Sequence, residues 1–265
     1  MTYTGGTSDA GVIYRVSPSG QFSTVYSFCT TKPCTNGNPA DTLMQSANGN
    51  QYGTSYDGNG VGAIFEFRNG RVGNLYNFCQ LAECADGYFP SGTLLRGTDG
   101  NFYGTTTSGG VHPCNGSCGT LFEITPTGAL TTLYRFCSQA NCADGKRPEG
   151  SLMQATDGNF YGVTYSGGDL ACLDGCGTAF RLATGLQPFV VANPSASPEG
   201  YSITILGNHL NGASVVRFNG AAATFRVVSD TEITATVPVV ATSGMVTVTI
   251  PTGTLNSNIA FTVTK

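Results

Sequence analysis

The chain has 265 residues, of which 40% are hydrophobic and only 11% are Lys, Arg, Asp or Glu, against about 25% charged residues in an ordinary soluble domain. That length serves one large domain or two ordinary ones with real cores, and the apolar content excludes a disordered polyelectrolyte. With a net charge of −4 and no basic patch to hold phosphates, nucleic acid is not an expected partner. Nor is a membrane span, because no run of about 18 apolar residues occurs.

From its N-terminus the chain repeats itself. The stretches YSFCTTKPCTNGNPADTLMQSANGNQYGTSY, YNFCQLAECADGYFPSGTLLRGTDGNFYGTTT and YRFCSQANCADGKRPEGSLMQATDGNFYGVTY align, with Phe28, Phe78 and Phe136 marking the period and Gly53, Gly104 and Gly162 following a tyrosine. The interval from Phe78 to Phe136 is longer than that from Phe28 to Phe78 because it contains the inserted segment VHPCNGSC. Repeats of about 40–50 residues point to propeller blades or solenoid turns.

Each period holds four short β-signals separated by turn residues. In one they fall at Thr93–Arg96, Asn101–Thr107, Gly119–Thr125 and Leu130–Phe136, broken by Asp99–Asn101 and Pro126–Gly128. These breaks carry hairpin chemistry, and the segments are too short for helices. Starting with a partial strand at Thr2–Gly5, the chain predicts fourteen strands in about three and a half four-stranded blades. The first blade lacks its first strand and the last lacks its fourth. Propellers usually need four or more complete blades to close, so the sequence predicts strand edges open to pairing. One internal remedy is a substitute fourth strand from Leu186–Val191.

The ten cysteines fall into five close pairs: Cys29/Cys34, Cys79/Cys84, Cys114/Cys118, Cys137/Cys142 and Cys172/Cys176. Thiolate pairs can hold zinc, but four-thiolate sites take pairs two at a time, and five leave one over. Five local disulfides are the expected state, each worth roughly 2 kcal/mol by loop entropy. They staple loops and do not hold the fold together. Persistent disulfides imply an oxidising compartment, outside the cell or at its surface. As no signal peptide opens the sequence, a mature or truncated form is expected.

After Leu186 the composition changes. The repeat stops, cysteine vanishes, and PFVVANPSASPEG reads as a proline-punctuated linker. The segments YSITILG, SVVRFNG, EITATVPV, GMVTVTI and IAFTVT then alternate with period two, with Val246, Val248 and Ile250 on one side and Thr247 and Thr249 on the other. Such patterning predicts a β-sandwich. The expected organisation is therefore all-β, with a disulfide-stapled, propeller-like repeat domain over 1–186 and an immunoglobulin-like sandwich over 187–265.

Two resemblances attach to these halves. The motif DGNFYGTTTSGG at Asp99–Gly110, followed by GTLFEITPTGALTTLYRF, resembles the Gloeo/Verruco ("GloVer") tandem repeats of large secreted bacterial proteins. That resemblance implies a surface or secreted propeller-like array and brings no catalytic residues. The C-terminal stretch resembles IPT/TIG immunoglobulin-like domains through Pro194–Gly200, Ile203–Gly207, Val216–Gly220, Ser229–Pro238, Ser257-Asn258 and Phe261–Val263.

Little in the residues points to catalysis. Of the two histidines, His112 lies in the loop VHPC and His209 in GNHL, both expected as exposed loop residues without a nucleophile motif. Asp99 and Asp157 share a repeat position with Asn48, and Asp86 and Asp144 share one with Asn36. Carboxylates that recur and interchange with Asn read as turn residues, not as the singular pair a glycosidase uses. Tyr52, Tyr103 and Tyr161, with Tyr26, Tyr76 and Tyr134, recur once per period and read as packing. The absence of Trp argues against a sugar platform, and Asn115-Gly-Ser117 matches a glycosylation sequon. No catalytic, cofactor or metal residue is assigned. The expected function is a non-enzymatic extracellular structural protein that assembles with itself head to tail by strand addition or adheres. A glycan- or protein-binding module is the alternative, and an enzyme acting on polysaccharide the third. A binding module would show itself as an aromatic or acidic cluster on one loop face.

Overall fold

The structure, a computed structural model, describes every residue except 31–33, 35–36, 41, 47, 57–59, 111–117 and 170. Asn36, His112, Cys114 and the Asn115 sequon therefore lie outside the described residues. The chain is all-β. Among the described residues its helical pieces are the short turns Ala82–Cys84 and Ala140–Cys142, and no helix is long and apolar enough to cross a membrane. Two compact units are formed, Met1–Met153 with Tyr161–Arg181, and Gln154–Phe160 with Leu182–Lys265.

The repeats fold as successive antiparallel meanders. The first supplies β1 (Val12–Val16) and β2 (Phe22–Ser27); the second β3 (Met44–Gln45), β4 (Gln51–Ser55), β5 (Ala63–Arg68) and β6 (Arg71–Asn77). The third supplies β7 (Tyr88–Arg96), β8 (Phe102–Ser108), β9 (Thr120–Ile124) and β10 (Leu130–Arg135). The fourth supplies β11 (Lys146–Pro148), β12 (Met153–Gln154), β13 (Phe160–Ser166) and β14 (Ala179–Leu182), with β13 pairing all three others. Strand order follows chain order in the second and third sheets. Two expectations need correction. Thr2–Gly5 contributes a single bridge, Thr2 to Val12, because Gly5 and Gly6 both turn the chain at positive φ. The first strand of the third repeat begins at Tyr88, not Thr93; Pro90 is tolerated within it because β7 is an edge strand, where a missing N–H breaks no ladder.

One contact joins each repeat to the next. Phe28, Phe78 and Phe136, just past the fourth strand of their repeats, are each at most 2% exposed. Each packs edge-on against an aromatic ring in β5, β9 or β14 of the following repeat: Phe28 on Phe65 at 5.4 Å, Phe78 on Phe122 at 5.3 Å, Phe136 on Phe180 at 4.9 Å. The receiving ring lies flat over a glycine of its own sheet. A Cβ on Gly53, Gly104 or Gly162 would stand 2.7, 2.6 or 2.5 Å from the Cζ of Phe65, Phe122 or Phe180. The tyrosine–glycine pair of the repeat thus buries Tyr52 and Tyr103, and half-buries Tyr161, on one side and clears space for a phenylalanine on the other. Edge-to-face pairs add about 0.5–1.5 kcal/mol beyond the area they bury.

The second unit holds a sandwich. One sheet is β15 (Val191–Asn193), β17 (Ser202–Leu206), β21 (Glu232–Thr236) and β20 (Phe225–Ser229), in that order. The other is β19 (Ala221–Ala222), β18 (Val215–Phe218), β22 (Val246–Ile250) and β23 (Gly253–Asn256), while β16 (Ala196–Pro198) and β24 (Thr262–Thr264) pair in parallel. Val246, Val248 and Ile250 enter a core with Ile203, Ile205, Val216 and Ile233, and Phe218 meets Phe261 edge-on at 5.0 Å. Buried Ser257 fastens one corner, accepting from the Val246 amide at 3.0 Å and donating to the Ile259 carbonyl at 2.7 Å. The end of the expected substitute strand Leu186–Val191 is spent here: Val190 bridges Ser257, and Val191 opens β15 against β17, while 186–189 form no strand. These backbone groups are already paired within the sandwich.

Gly104→Ala should lower unfolding stability by about 2 kcal/mol, the cost of overpacking against a ring that cannot retreat. Gly73→Ala, where a Cβ meets nothing within 4 Å, should change it by less than about 0.5 kcal/mol. Denaturant midpoints measure both. Equal midpoints for the two variants would mean that the Phe122 ring moves aside freely.

Candidate functional site

Four of the expected cysteine pairs are bonded: Cys29–Cys34, Cys79–Cys84, Cys137–Cys142 and Cys172–Cys176. Cys118 is also disulfide-bonded, and its expected partner Cys114 lies outside the described residues. The Cys79 and Cys137 loops share an anchor that the turn reading of their aspartates does not contain. Asp86, fully buried, accepts from the Tyr76 hydroxyl at 2.8 Å and the Gln80 and Leu81 amides at 3.0 and 3.1 Å. Asp144 does the same with Tyr134, Ser138 and Gln139 at 2.8, 2.9 and 3.1 Å. These carboxylates tie the disulfide loop to the fourth strand. Burial and the Asp86 bond push the Tyr76 hydroxyl far above the ordinary phenol range. Burial alone would raise Asp144, but the bonds from Tyr134, Ser138 and Gln139 outweigh it and hold the carboxyl below its usual range.

The other recurring acids are turn residues. Asp99, Asp157 and Asn48 each accept the amide of the residue two further on, at 3.2, 2.9 and 3.0 Å, which is an Asx-turn. Asp99 also accepts from the Tyr103 hydroxyl at 2.9 Å, and burial followed by this bond raises that phenol far above its ordinary range. In the second repeat, where Asn48 replaces the acid, Tyr52 donates to Glu66 instead, at 2.9 Å. Tyr52 and Tyr103 are 1% exposed, while Tyr26, Tyr76, Tyr134 and Tyr161 are half-buried. His209 is exposed and sits 3.6 Å from the Asp230 carboxylate. Among the described residues no three His, Cys, Asp or Glu side chains converge on a point.

What the structure does bring together is a different set. A wide-open hollow of about 690 Å³ is lined by Tyr3, Asn38, Tyr56, Gly60, Phe89, Ser91, Thr107, Arg147 and Glu149. Six of these residues occupy two recurring positions. Tyr3, Tyr56, Thr107 and Tyr165 each follow the residue that pairs with the start of the third strand, as the partners Thr2–Val12, Ser55–Ala63, Thr106–Thr120 and Thr164–Thr178 align them. Asn38, Phe89 and Arg147 each precede the repeat's proline, and all three adopt the left-handed backbone, with φ of 52°, 55° and 55°. For a bulky residue such as Phe89 that conformation is an outlier costing on the order of 1 kcal/mol or more.

A hydrogen bond between repeats holds each of them there. The amides of Asn38, Phe89 and Arg147 donate to the carbonyls of Ala10, Val61 and Cys118 in the preceding repeat, all at 2.8 Å. The adjoining prolines close against glycines of that repeat; a Cβ on Gly62 would lie 2.4 Å from Pro90 Cδ. Side chains are thereby presented to the hollow on a fixed frame. Tyr3, Tyr56 and Phe89 form an edge-on file with centroids 6.2 and 5.7 Å apart. The Arg147 guanidinium lies 5.0 Å from the Tyr165 ring centre and pairs with Glu149 at 3.2 Å. Tyr3 and Tyr165 remain 56% and 64% exposed, so their rings face solvent. Sequence reasoning passed over this cluster. The signal was present in TYTGG and TYSGG, which align Tyr3 with Tyr165, and in the variable residue before an otherwise regular proline.

Two outcomes follow. Asp144→Asn should cost about 1–2 kcal/mol at pH 7 through weakened hydrogen bonds. Because the folded carboxyl is depressed, its contribution is full above the unfolded value and is lost as pH falls through the folded one. The stability gap between wild type and variant should accordingly narrow in acid, as read by urea unfolding across a pH series; a gap constant with pH would contradict this role. Phe89→Asn exchanges a strained aromatic for a residue suited to the left-handed region. Relief of strain and loss of the ring contacts should nearly cancel, leaving stability within about 1 kcal/mol of wild type by calorimetry. A loss beyond about 3 kcal/mol would make Phe89 a core residue and not a presented one.

Comparison with known proteins identifies both halves of the chain. A family model described as the Gloeobacter/Verrucomicrobia repeat matches residues 1–180, and one described as the IPT/TIG domain matches residues 190–263. A search of curated proteins returns no match. Both resemblances carried by the sequence motifs are borne out, and the IPT/TIG stretch is a module of a typically non-catalytic, immunoglobulin-like kind. The chain belongs to the Gloeobacter/Verrucomicrobia repeat family, here followed by an IPT/TIG domain.

Proposed function

We propose that the protein is a non-enzymatic extracellular binding or adhesive protein whose ligand is taken by the hollow of the repeat domain. The domain spans 1–186, is disulfide-stapled and propeller-like, and the sandwich over 187–265 serves as an accessory immunoglobulin-like module. The observation that carries this reading is the presentation of Phe89 and Arg147 in left-handed backbone at an open hollow lined by aromatic and polar side chains. Strained residues at concave sites recur where a ligand is recognised. The acids support no hydrolytic role: Asp99 and Asp157 are bound in turns, and Glu149 is neutralised by Arg147. Short-loop disulfides favour a site outside the cell.

A second reading, head-to-tail self-assembly, draws on the first and last sheets. Tyr14 occupies the position of Phe65 and Phe122 but is 40% exposed, with Val16 and Phe22 beside it 52% and 58% exposed. At the other end β14 pairs with β13 and with no other strand among the described residues. Such an apolar face and free edge invite strand addition.

Retention of the fluorescently labelled chain on bacterial extracellular matrix tests the binding reading. A Tyr3→Ala/Phe89→Asn double variant should be retained several-fold less than wild type at unchanged fold. Equal retention would remove the hollow from the function. Concentration-dependent growth in light scattering that Phe22→Ser abolishes would instead establish the assembly reading.

A further inference from the structure

We infer that the hollow holds an uncharged carbohydrate, with a pyranose lying against the Tyr56–Phe89 rings and its hydroxyls engaged by Arg147 and Glu149. The inference rests on the reading of the hollow as the ligand site. Its chemistry is mixed in a particular way. Aromatic faces attract the weakly positive C–H bonds that line one side of a sugar ring, through the negative face of the ring quadrupole. Tyr3, Tyr56 and Phe89 meet edge to face, with centroids 6.2 and 5.7 Å apart and planes inclined at 67° and 66°, so they form angled aromatic walls and not one flat surface; Tyr3, 56% exposed, offers its ring most openly.

Beside these walls stands a matched donor and acceptor. Arg147 and Glu149 pair at 3.2 Å with both side chains 41% exposed, so each keeps unused hydrogen-bonding capacity towards the hollow. Guanidinium donates only and carboxylate accepts only, whereas a sugar hydroxyl does both and satisfies the two together. Their charges cancel, which disfavours phosphates, uronates and cationic peptides alike. A proline-rich peptide also favours aromatic grooves, but its prolines bring carbonyl acceptors and no N–H, so the capacity that Arg147 leaves unused on the Glu149 carboxylate goes unmet. The hydroxyl-bearing ligand meets every group present.

The test is calorimetric titration of the full chain with neutral oligosaccharides drawn from an array of cellulose-, chitin-, mannan- and xylan-type fragments, beside a decaproline peptide. At least one neutral oligosaccharide should bind. Phe89→Asn should weaken it about tenfold or more, equivalent to about 1.4 kcal/mol, and Glu149→Gln about threefold or more, with Gly73→Ala as a neutral control outside the hollow. If decaproline binds, Phe89→Asn abolishes it and no sugar binds, the carbohydrate inference is wrong while the hollow remains a ligand site. Sugar binding that neither Phe89→Asn nor Tyr3→Ala weakens would overturn the inference and the hollow reading together. An array on which no neutral glycan binds also overturns the inference.

Discussion

The repeat domain depends on the seating of one phenylalanine ring above a glycine that has no side chain to obstruct it. Phe65, Phe122 and Phe180 each rest on Gly53, Gly104 and Gly162 from below and receive Phe28, Phe78 and Phe136 from the preceding repeat. Both halves of the contact are needed. Without the glycine the ring lifts into its neighbour; without the incoming ring it is left half in water, as Tyr14 is in the first repeat. Adjacent sheets are thus registered by shape, since interiors pack too densely for the rings to find a second arrangement. The left-handed residues and the glycine–proline closures take their positions from that registration.

Much of this was legible in the chain. The period, the number of strands per repeat and the alternation of β22 all follow from spacing and side-chain type, because strand pairing and burial impose period two. The Asx-turns at Asn48, Asp99 and Asp157 were legible for the same reason, since they use only local bonds. Asp86 and Asp144 were read as turn residues because local pattern cannot show that a carboxylate reaches a tyrosine ten positions earlier. Thr2–Gly5 was read too generously: its composition suits a strand, and the conformations of Gly5 and Gly6 decide otherwise.

The hollow escaped for a deeper reason. Its residues come from the second-strand ends and the pre-proline positions of different repeats, and each taken alone is unremarkable. Tyr3, Tyr56 and Tyr165 look like further members of a tyrosine-rich pattern, broken by Thr107. Asn38, Phe89 and Arg147 share no chemistry at all; what they share is a backbone angle and a hydrogen bond to the preceding repeat. Sequence periodicity finds positions where residue type is constrained. It is blind where only the conformation is constrained and the side chain is left open.

That openness changes what a tandem array can be. The proline, the glycine it closes on and the donated amide are the grammar of the repeat, and the residue before the proline is vocabulary. The three words written here, an amide, a benzyl and a guanidinium, sit in one sentence without altering its syntax. A chain of such repeats can change the side chain held at those points by single substitutions, while the aromatic seats that hold the sheets together stay untouched.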